Sequence, residues 1–94
     1  MKIILDKDSY VHLNFHHDSK KRTTVATLSV FRFGFIDQEF VGTAKCRKDE
    51  TFKTAVGRFV ALIDVLKKAG FPREERVAVW DALDSRGVNL DIPA

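Results

Sequence analysis

Residues 40–68 read FVGTAKCRKDETFKTAVGRFVALIDVLKK, and this stretch decides the fold because it joins a strand to a long amphipathic helix. We predict a strand over residues 40–46, a turn at RKDE and a helix that begins near Asp49. Asp49 or Glu50 suits the first turn, where carboxylates meet the positive end of the helix dipole. Apolar residues then recur at the three-four spacing of one helical face. The predicted buried stripe comprises Phe52, Ala55, Val56, Phe59, Val60, Ile63 and Leu66.

Glycines in and after this stretch predict how its two elements pack. We expect the helix to end at Gly70, which follows two lysines and an alanine, because glycine adopts the left-handed conformation that closes many helices. Gly42 and Ala44 share one face of the strand, so a helix that crosses this face would approach the sheet closely. Gly57 lies inside the predicted helix, where glycine costs about 1 kcal/mol relative to alanine. Close packing against another element would explain it.

Three further segments upstream show strand patterns. Residues 10–16 alternate between apolar and polar side chains, which is typical of a half-buried strand. Residues 23–35, TTVATLSVFRFGF, are rich in β-branched and aromatic residues and predict a second strand. A hairpin turn centred near Asp37-Gln38 would lead into the strand over residues 40–46. The short apolar run over residues 2–5 predicts an edge strand or a lead-in.

A second helix is predicted over residues 73–83, with Pro72 suited to its start. Strands joined by hairpins and followed by helices form an α+β layer. We therefore predict a single α+β domain over residues 1–94, with a three-stranded antiparallel sheet in the order β-β-β-α-α and the helices packed on one face.

The composition favours a folded domain. The chain has 94 residues, of which 45% are hydrophobic and 31% charged, a globular balance. Its one cysteine forms neither an intramolecular disulfide nor a cysteine-based zinc site. The N-terminal MKIILDKDSY becomes charged too early for a signal peptide. No apolar run approaches the roughly 18 residues that span a bilayer. We expect a soluble, cytoplasmic protein that does not bind membranes.

No constellation of residues predicts catalysis. His12 and His16 point the same way on a strand but lie about 13 Å apart at ~3.3 Å per residue, too far to share a metal ion. Cys46 precedes a predicted helix N-terminus, a position that can activate a thiol, but we interpret it as a small residue on the packed face of a strand. Asp81 and Asp84 are an acidic pair better explained as solvated. No phosphate loop, zinc motif or nucleophile elbow is present. We predict no enzyme activity, metal or cofactor.

Positive charge is concentrated in the middle of the chain. Residues 19–68 contain eleven Lys and Arg against five Asp and Glu, whereas the remainder contains five against eight. Such a balance favours an anionic partner, and ordinary solubilising charge is the alternative. Basic residues that flank the predicted strand-to-helix junction make it a candidate anion-binding surface. The predicted binding residues are Lys20, Lys21, Arg22, Lys45, Arg47, Lys48, Lys53 and Arg58.

The stretch VGTAKCRKDETFKTAVGRFVAL resembles a strand-to-helix motif of small proteins from bacteriophages and related mobile elements. That motif has a Gly-x-Ala-x-Cys strand end, an Asp and a Phe at the helix start and a later Gly. The usual Ala-Arg-Ala continuation of the helix is missing. The matching residues are Gly42, Ala44, Cys46, Asp49 or Glu50, Phe52 and Gly57. Several such phage proteins counter host defences, so the resemblance implies an inhibitor that binds a host protein inside the host cell.

Residues 31–66 are similar in layout to the last strands and the C-terminal helix of the double-stranded-RNA-binding domain. In that family a basic cluster at the start of the helix contacts phosphates, largely by shape. Arg47, Lys48 and Lys53 fall near that cluster. The chain departs from the family because no helix precedes its sheet, and because Asp49 and Glu50 stand where the family has lysine.

Two function hypotheses follow. The first is a non-enzymatic phage-type protein that sequesters or inhibits a host protein, such as a defence protein. The second is a nucleic-acid or anionic-nucleotide binder that uses the basic junction. A structural homo-oligomer is a third alternative, because strand aromatics such as Phe31, Phe33 and Phe35 supply apolar contact surface.

Overall fold

A computed structural model describes residues 1–93. The elements are β1 (Lys2–Asp6), β2 (Ser9–Asp18), β3 (Thr23–Arg32), β4 (Phe35–Lys45), α1 (Thr54–Ala69) and α2 (Arg73–Ser85). The strands form one antiparallel sheet in the order β1-β2-β3-β4. Buried residues of the sheet and of both helices belong to one core cluster, so the helices cover one face of the sheet. The predicted α+β class is confirmed. Neither described helix is long and apolar enough to cross a membrane.

The sheet has four strands, so the predicted number of three is wrong. The lead-in over residues 2–5 is part of a full edge strand, with Ile3 opposite Val11 in the register of β1 and β2. Ile3 is buried in the core. The backbone N–H of Leu13 also donates to the carbonyl of Met1 at 2.8 Å. Three consecutive apolar residues, Ile3 to Leu5, allow either of the predicted alternatives, an edge strand or a lead-in. Contact with the core and pairing with β2 stabilise the strand.

The hairpin between β3 and β4 turns at Phe33-Gly34, not at Asp37-Gln38. Phe33 has a φ of 55° and Gly34 a φ of 82°, as a type I′ turn requires at both central residues. Val30 pairs with Gln38 and Phe31 pairs with Ile36, which leaves Asp37 unpaired as a bulge inside β4. Asp37, which the sequence pattern assigned to the turn, is therefore accommodated inside β4 as the extra residue of a bulge.

Helix α1 begins at Thr54, five residues after the predicted start, and Lys53 is its N-cap. Its first turn contains no acidic residue, so Asp49 and Glu50 do not cap it. They lie in a loop instead. Arg22 keeps this loop irregular because its guanidinium donates to the carbonyls of Arg47 (3.0 Å) and Glu50. The carbonyl of Arg47 also accepts the N–H of Glu50 at 3.1 Å, which makes a single turn that the helix does not continue.

The buried stripe of α1 is rotated from the predicted one. Its buried residues are Gly57, Ala61, Leu62, Val65 and Leu66. Only Leu66 was predicted, and Phe52 lies before the helix. The larger residues at the other predicted positions of the helix are partly buried on its flanks. Small residues occupy the centre of the contact because the helix lies against the sheet backbone, where a larger side chain does not fit.

The predicted close approach of helix and sheet is confirmed. A Cβ added to Gly42 of β4 would overlap the backbone of α1 at Ala61 and Val65. A Cβ added to Gly57 would overlap Oγ1 of Thr24 on β3. Both glycines therefore serve packing rather than backbone conformation. At the other end of the helix, Gly70 has a φ of 65° and its N–H donates to the carbonyls of Leu66 and Lys67, as predicted.

After α2, residues 86–93 run as an irregular segment back across α1. Its contacts begin where the N–H of Val88 donates to the carbonyl of Leu83 at 3.1 Å. They continue where the N–H of Asp91 donates to the carbonyl of Ala55, also at 3.1 Å. The segment thus joins the end of α2 to the first turn of α1.

Candidate functional site

Most of the predicted basic residues do meet at one end of the sheet. Thr23 pairs with Lys45, and the N–H of Cys46 donates to the carbonyl of Arg22 at 2.8 Å. The β2–β3 turn therefore lies beside the β4–α1 loop, although the two are more than twenty residues apart in sequence. We call this region the basic end. It comprises Lys20, Lys21, Arg22, Lys45, Arg47, Lys48 and Lys53.

Arg22 is not free to bind an anion, because it holds the β4–α1 loop. Its Nη2 donates to the carbonyls of Arg47 and Glu50 and lies 3.3 Å from Sγ of Cys46. Its Nε is buried without a hydrogen-bond partner among the described residues. The guanidinium thus points into the protein, and its role is to position the loop.

Two further predicted residues have intramolecular partners. Arg47 forms an ion pair with Glu50 at 2.6 Å, and this carboxylate raises the pKa of Arg47. Arg58 lies outside the basic end: its Nε donates to the carbonyl of Asn89 at 2.9 Å, and its Nη1 lies 3.3 Å from Nε2 of His17. What remains for an anion is a set of exposed lysines. They are Lys20, Lys21, Lys45, Lys48 and Lys53.

A cavity of about 110 Å³ lies between β4, the β4–α1 loop and α1. Its walls are mainly apolar, and the residues that line it include Phe52, Val56, Val60 and Cys46. The nearest acceptors of that thiol are the carbonyls of Arg47 and Glu50, at 3.5 and 3.6 Å. No side chain among residues 1–93 is placed to act as its base. The arrangement fits packing of the loop rather than nucleophilic catalysis.

The three histidines lie in different environments. His12 contacts the rings of Tyr10 and Phe31 on the uncovered face of the sheet. His16 is exposed, whereas His17 points toward α1 and bonds Thr24. Within the described part of the chain, no three His, Cys, Asp or Glu residues are grouped so as to hold a metal ion.

An apolar row crosses the uncovered face of the sheet, and the sequence did not reveal it. Ile4 pairs with Tyr10, Tyr10 with Phe31, and Phe31 with Ile36, so one residue comes from each strand. The Tyr10 and Phe31 rings stack with centroids 4.8 Å apart and an angle of 5° between their planes. Ile4 is 60% exposed and Ile36 is 55% exposed. We call these four residues the apolar row.

The β3–β4 hairpin adds two exposed aromatic residues next to this surface. Phe33 is 75% exposed and Phe35 is 77% exposed, and we call this pair the hairpin tip. The tip lies beside the end of the row: Ile36 faces the uncovered side with Phe31, whereas Phe35 pairs with Arg32 and points to the other side. The sequence indicated Phe33 and Phe35 as apolar contact surface, but the misplaced turn put them inside a continuous strand rather than at a hairpin tip. Gly34 between two phenylalanines was the available signal, because glycine favours the positive φ of a tight turn.

Comparison of the chain with protein-family models, curated proteins and solved structures finds no match. The resemblances to small phage proteins and to the double-stranded-RNA-binding domain therefore stay predictions. The apolar row, the hairpin tip and the basic end are the three observations on which a function rests.

Proposed function

We propose that the protein is a non-enzymatic binding protein that contacts another protein through the apolar row and the hairpin tip. The observation that carries this proposal is the exposure of Phe33 and Phe35 at the hairpin tip, next to an apolar row whose end residue Ile36 is also exposed. Exposed apolar surface of this kind is typical of interaction sites. Aromatic side chains also supply a large share of the binding energy at protein interfaces.

The surface is pre-ordered, which favours binding. Tyr10 and Phe31 stack on each other, and the ammonium group of Lys2 lies 4.3 Å from the centre of the Tyr10 ring. Phe33 lies in the two-residue turn and Phe35 directly follows it, so the turn fixes both residues near each other. Side chains that are already ordered lose little conformational entropy on association.

Helix α1 covers part of the outer edge of β4. This part of the edge is therefore excluded from the surface that a partner protein could contact. Asp64 accepts the N–H of Thr43 at 2.9 Å, and Lys68 donates to the carbonyl of Val41 at 3.0 Å. These bonds occupy backbone groups on the outer edge of β4, where another strand would otherwise add. A partner therefore meets the sheet face and the hairpin tip rather than this part of the edge.

The resemblance to small phage proteins supports a host protein, such as a defence protein, as the partner that is sequestered or inhibited. A protein of this kind acts in the cytoplasm of the host cell. Its inhibitory effect would come from occupying a surface, without a chemical step.

Capture from a bacterial lysate tests the proposal if matched variants are used. Phe33→Ser and Phe35→Ser remove tip contacts, whereas Ile92→Ser alters a residue that is equally exposed (76%) but distant in sequence. We expect a partner that the wild type and Ile92→Ser retain and that the tip variants bind about tenfold more weakly or worse. Equal capture by all four proteins, or no partner for the folded wild type, would contradict the proposal.

A nucleic acid or an anionic nucleotide is the second candidate partner. The observation that favours it is the grouping of Lys20, Lys21 and Lys45 with Lys48 and Lys53 at the basic end. Such a site predicts affinity that falls steeply with salt, because each neutralised phosphate releases counterions. Replacing the five lysines with glutamine should abolish binding, whereas Phe33→Ser should not affect it. No binding to duplex RNA, duplex DNA or nucleotides at about 50 mM salt would exclude this candidate.

Self-association through the apolar row is the third candidate function. Light scattering distinguishes it, since a homo-oligomer that buries the row would dissociate in Phe31→Ser and would not need a second protein. A monomer at every concentration would exclude this alternative.

A further inference from the structure

His17 connects the sheet to α1 through both ring nitrogens. Its Nδ1 lies 2.9 Å from Oγ1 of Thr24, and its Nε2 lies 3.3 Å from Nη1 of Arg58. Because a guanidinium only donates hydrogen bonds, Nε2 must accept. The proton of the neutral ring therefore lies on Nδ1 and is donated to Thr24. Both bonds exist together only while His17 is uncharged.

The same guanidinium holds the C-terminal segment. Nε of Arg58 donates to the carbonyl of Asn89 at 2.9 Å. Residues 88–93 then continue along α1, where the N–H of Asp91 bonds the carbonyl of Ala55. Arg58 is thus the link between the state of His17 and the position of this segment.

Beneath the segment lies an apolar crevice between the two helices. The rings of Phe59 on α1 and Trp80 on α2 approach to 5.7 Å between centroids. Val88, Leu90 and Ile92 of the segment line the same crevice. When the segment leaves, the Phe59–Trp80 pair becomes more exposed to solvent.

We propose that residues 88–93 form a proton-controlled strap. Protonation of His17 places a second N–H donor opposite Arg58, expels the guanidinium and frees the carbonyl of Asn89. The strap then detaches from α1 and uncovers Phe59 and Trp80. This regulation is separate from the apolar row, which lies on the opposite face of the sheet, and from the hairpin tip, which lies at the β3–β4 turn.

The charged groups around His17 all oppose its protonation. Arg58 faces the ring from α1, and His16 is its neighbour on β2. From β3 the facing group is the neutral Thr24, and from the β4–α1 loop it is the ring of Phe52. Burial, then Arg58, then His16 lower the pKa of His17 below its ordinary value of 6.5. None of the groups that shift this pKa is a carboxylate. The strap is therefore closed at neutral pH and opens on acidification.

Two reporters follow the strap directly. Trp80 is the only tryptophan of the chain, so its fluorescence emission should shift to longer wavelength as the strap leaves. The hydrogen-exchange protection factor of the Asp91 amide should fall by at most about tenfold per pH unit below 6.5. The protection factor of the Leu28 amide in β3 should stay far above that of Asp91 at each pH, which separates strap release from global unfolding.

Histidine variants test whether protonation of His17, rather than of another histidine, releases the strap. His17→Gln remains neutral at every pH and should remove the shift of Trp80 emission, whereas His12→Gln and His16→Gln should retain it. Arg58→Met should leave the strap open at every pH. The proposal is overturned if the shift persists in His17→Gln. If that variant does not fold, the wild type still decides: NMR titration of His17 without a parallel loss of Asp91 protection overturns the proposal.

Discussion

Gly42 on β4 and Val65 on α1 are in such close contact that a Cβ added to the glycine would lie 2.6 Å from Cβ of the valine. The same added atom would overlap the backbone of α1 at Ala61 and Val65. Backbone moves less readily than the end of a flexible side chain, so this contact sets the distance between helix and sheet.

Gly42→Ala should therefore destabilise the protein. Relief of the overlap requires α1 to move away from β4, which loosens the contacts that Leu62 and Val65 make in the core. We expect a loss of about 1–3 kcal/mol or more in the free energy of unfolding. Urea denaturation of both proteins measures it.

Thr27→Ala is the matched control for Gly42→Ala, because Thr27 is exposed on the uncovered face of the same sheet. It should change the free energy of unfolding by no more than about 0.5 kcal/mol. Equal effects of the two substitutions would show that Gly42 does not set the helix position.

Gly57→Ala should also destabilise the protein. Alanine is intrinsically favoured over glycine in a helix by about 1 kcal/mol, but we expect the steric overlap to outweigh this gain. The added Cβ would overlap Oγ1 of Thr24 and lie 3.0 Å from its Cβ. Removing the hydroxyl by Thr24→Ala should recover part of the loss. A double-mutant cycle measures this coupling, and strictly additive effects would rule out the contact.

Sequence patterns predicted which segments form strands and helices more accurately than they predicted how those elements pack against each other. The α+β class, the close approach at Gly42 and the helix end at Gly70 follow from local residue types. The position of the β3–β4 turn does not, because a positive φ at Phe33 opposes the usual preference of a bulky residue. The polar pair Asp37-Gln38 indicated a turn more strongly than Phe33-Gly34 did. In the structure, Asp37 instead lies within β4 as a bulge.

The buried face of α1 and the basic residues show a second limit. Residues 52–66 contain enough apolar side chains to satisfy either of two faces, and the choice depends on how closely the sheet backbone approaches. A sequence likewise does not distinguish an arginine that bonds within the fold from one that is free to bind a ligand. Arg22 and Arg58 bind carbonyls that lie more than twenty residues away, so only the fold shows that they are not free.

Arg22→Met should release the β4–α1 loop. The substitution removes the donors to the carbonyls of Arg47 and Glu50 but retains an unbranched side chain. A loss of about 1–2 kcal/mol in loop stability raises the open population about 5- to 30-fold. Because Cys46 is half-buried beside Arg22, its rate of alkylation by iodoacetamide should rise accordingly.

Lys21→Met is the control for Arg22→Met, since Lys21 is exposed in the same turn and its side chain makes no hydrogen bond within residues 1–93. Its Cys46 should react at the wild-type rate. Unchanged reactivity in Arg22→Met would mean that contacts other than this guanidinium hold the loop.

Asp64→Ala should weaken the protection of the β4 edge. The carboxylate accepts the N–H of Thr43 at 2.9 Å and pairs with Lys68 at 3.1 Å. Loss of the bond to the backbone costs about 0.5–1.5 kcal/mol and leaves the edge open to pairing with another strand. Sedimentation at increasing protein concentration should show self-association in this variant, whereas Asp81→Ala on α2 should stay like the wild type.

Asp64→Asn separates the charge of this side chain from its hydrogen bond. The N–H of Thr43 and the ammonium group of Lys68 hold the pKa of Asp64 below its ordinary value of 3.8. Because the unfolded chain binds this proton more readily, the stabilisation is fully present above that value and is lost as the pH falls through the lowered pKa. Asparagine keeps an oxygen for Thr43 but carries no charge. The stability difference between wild type and Asp64→Asn should therefore be constant near neutral pH and shrink in acid; a difference that stays constant in acid would show that the charge contributes nothing.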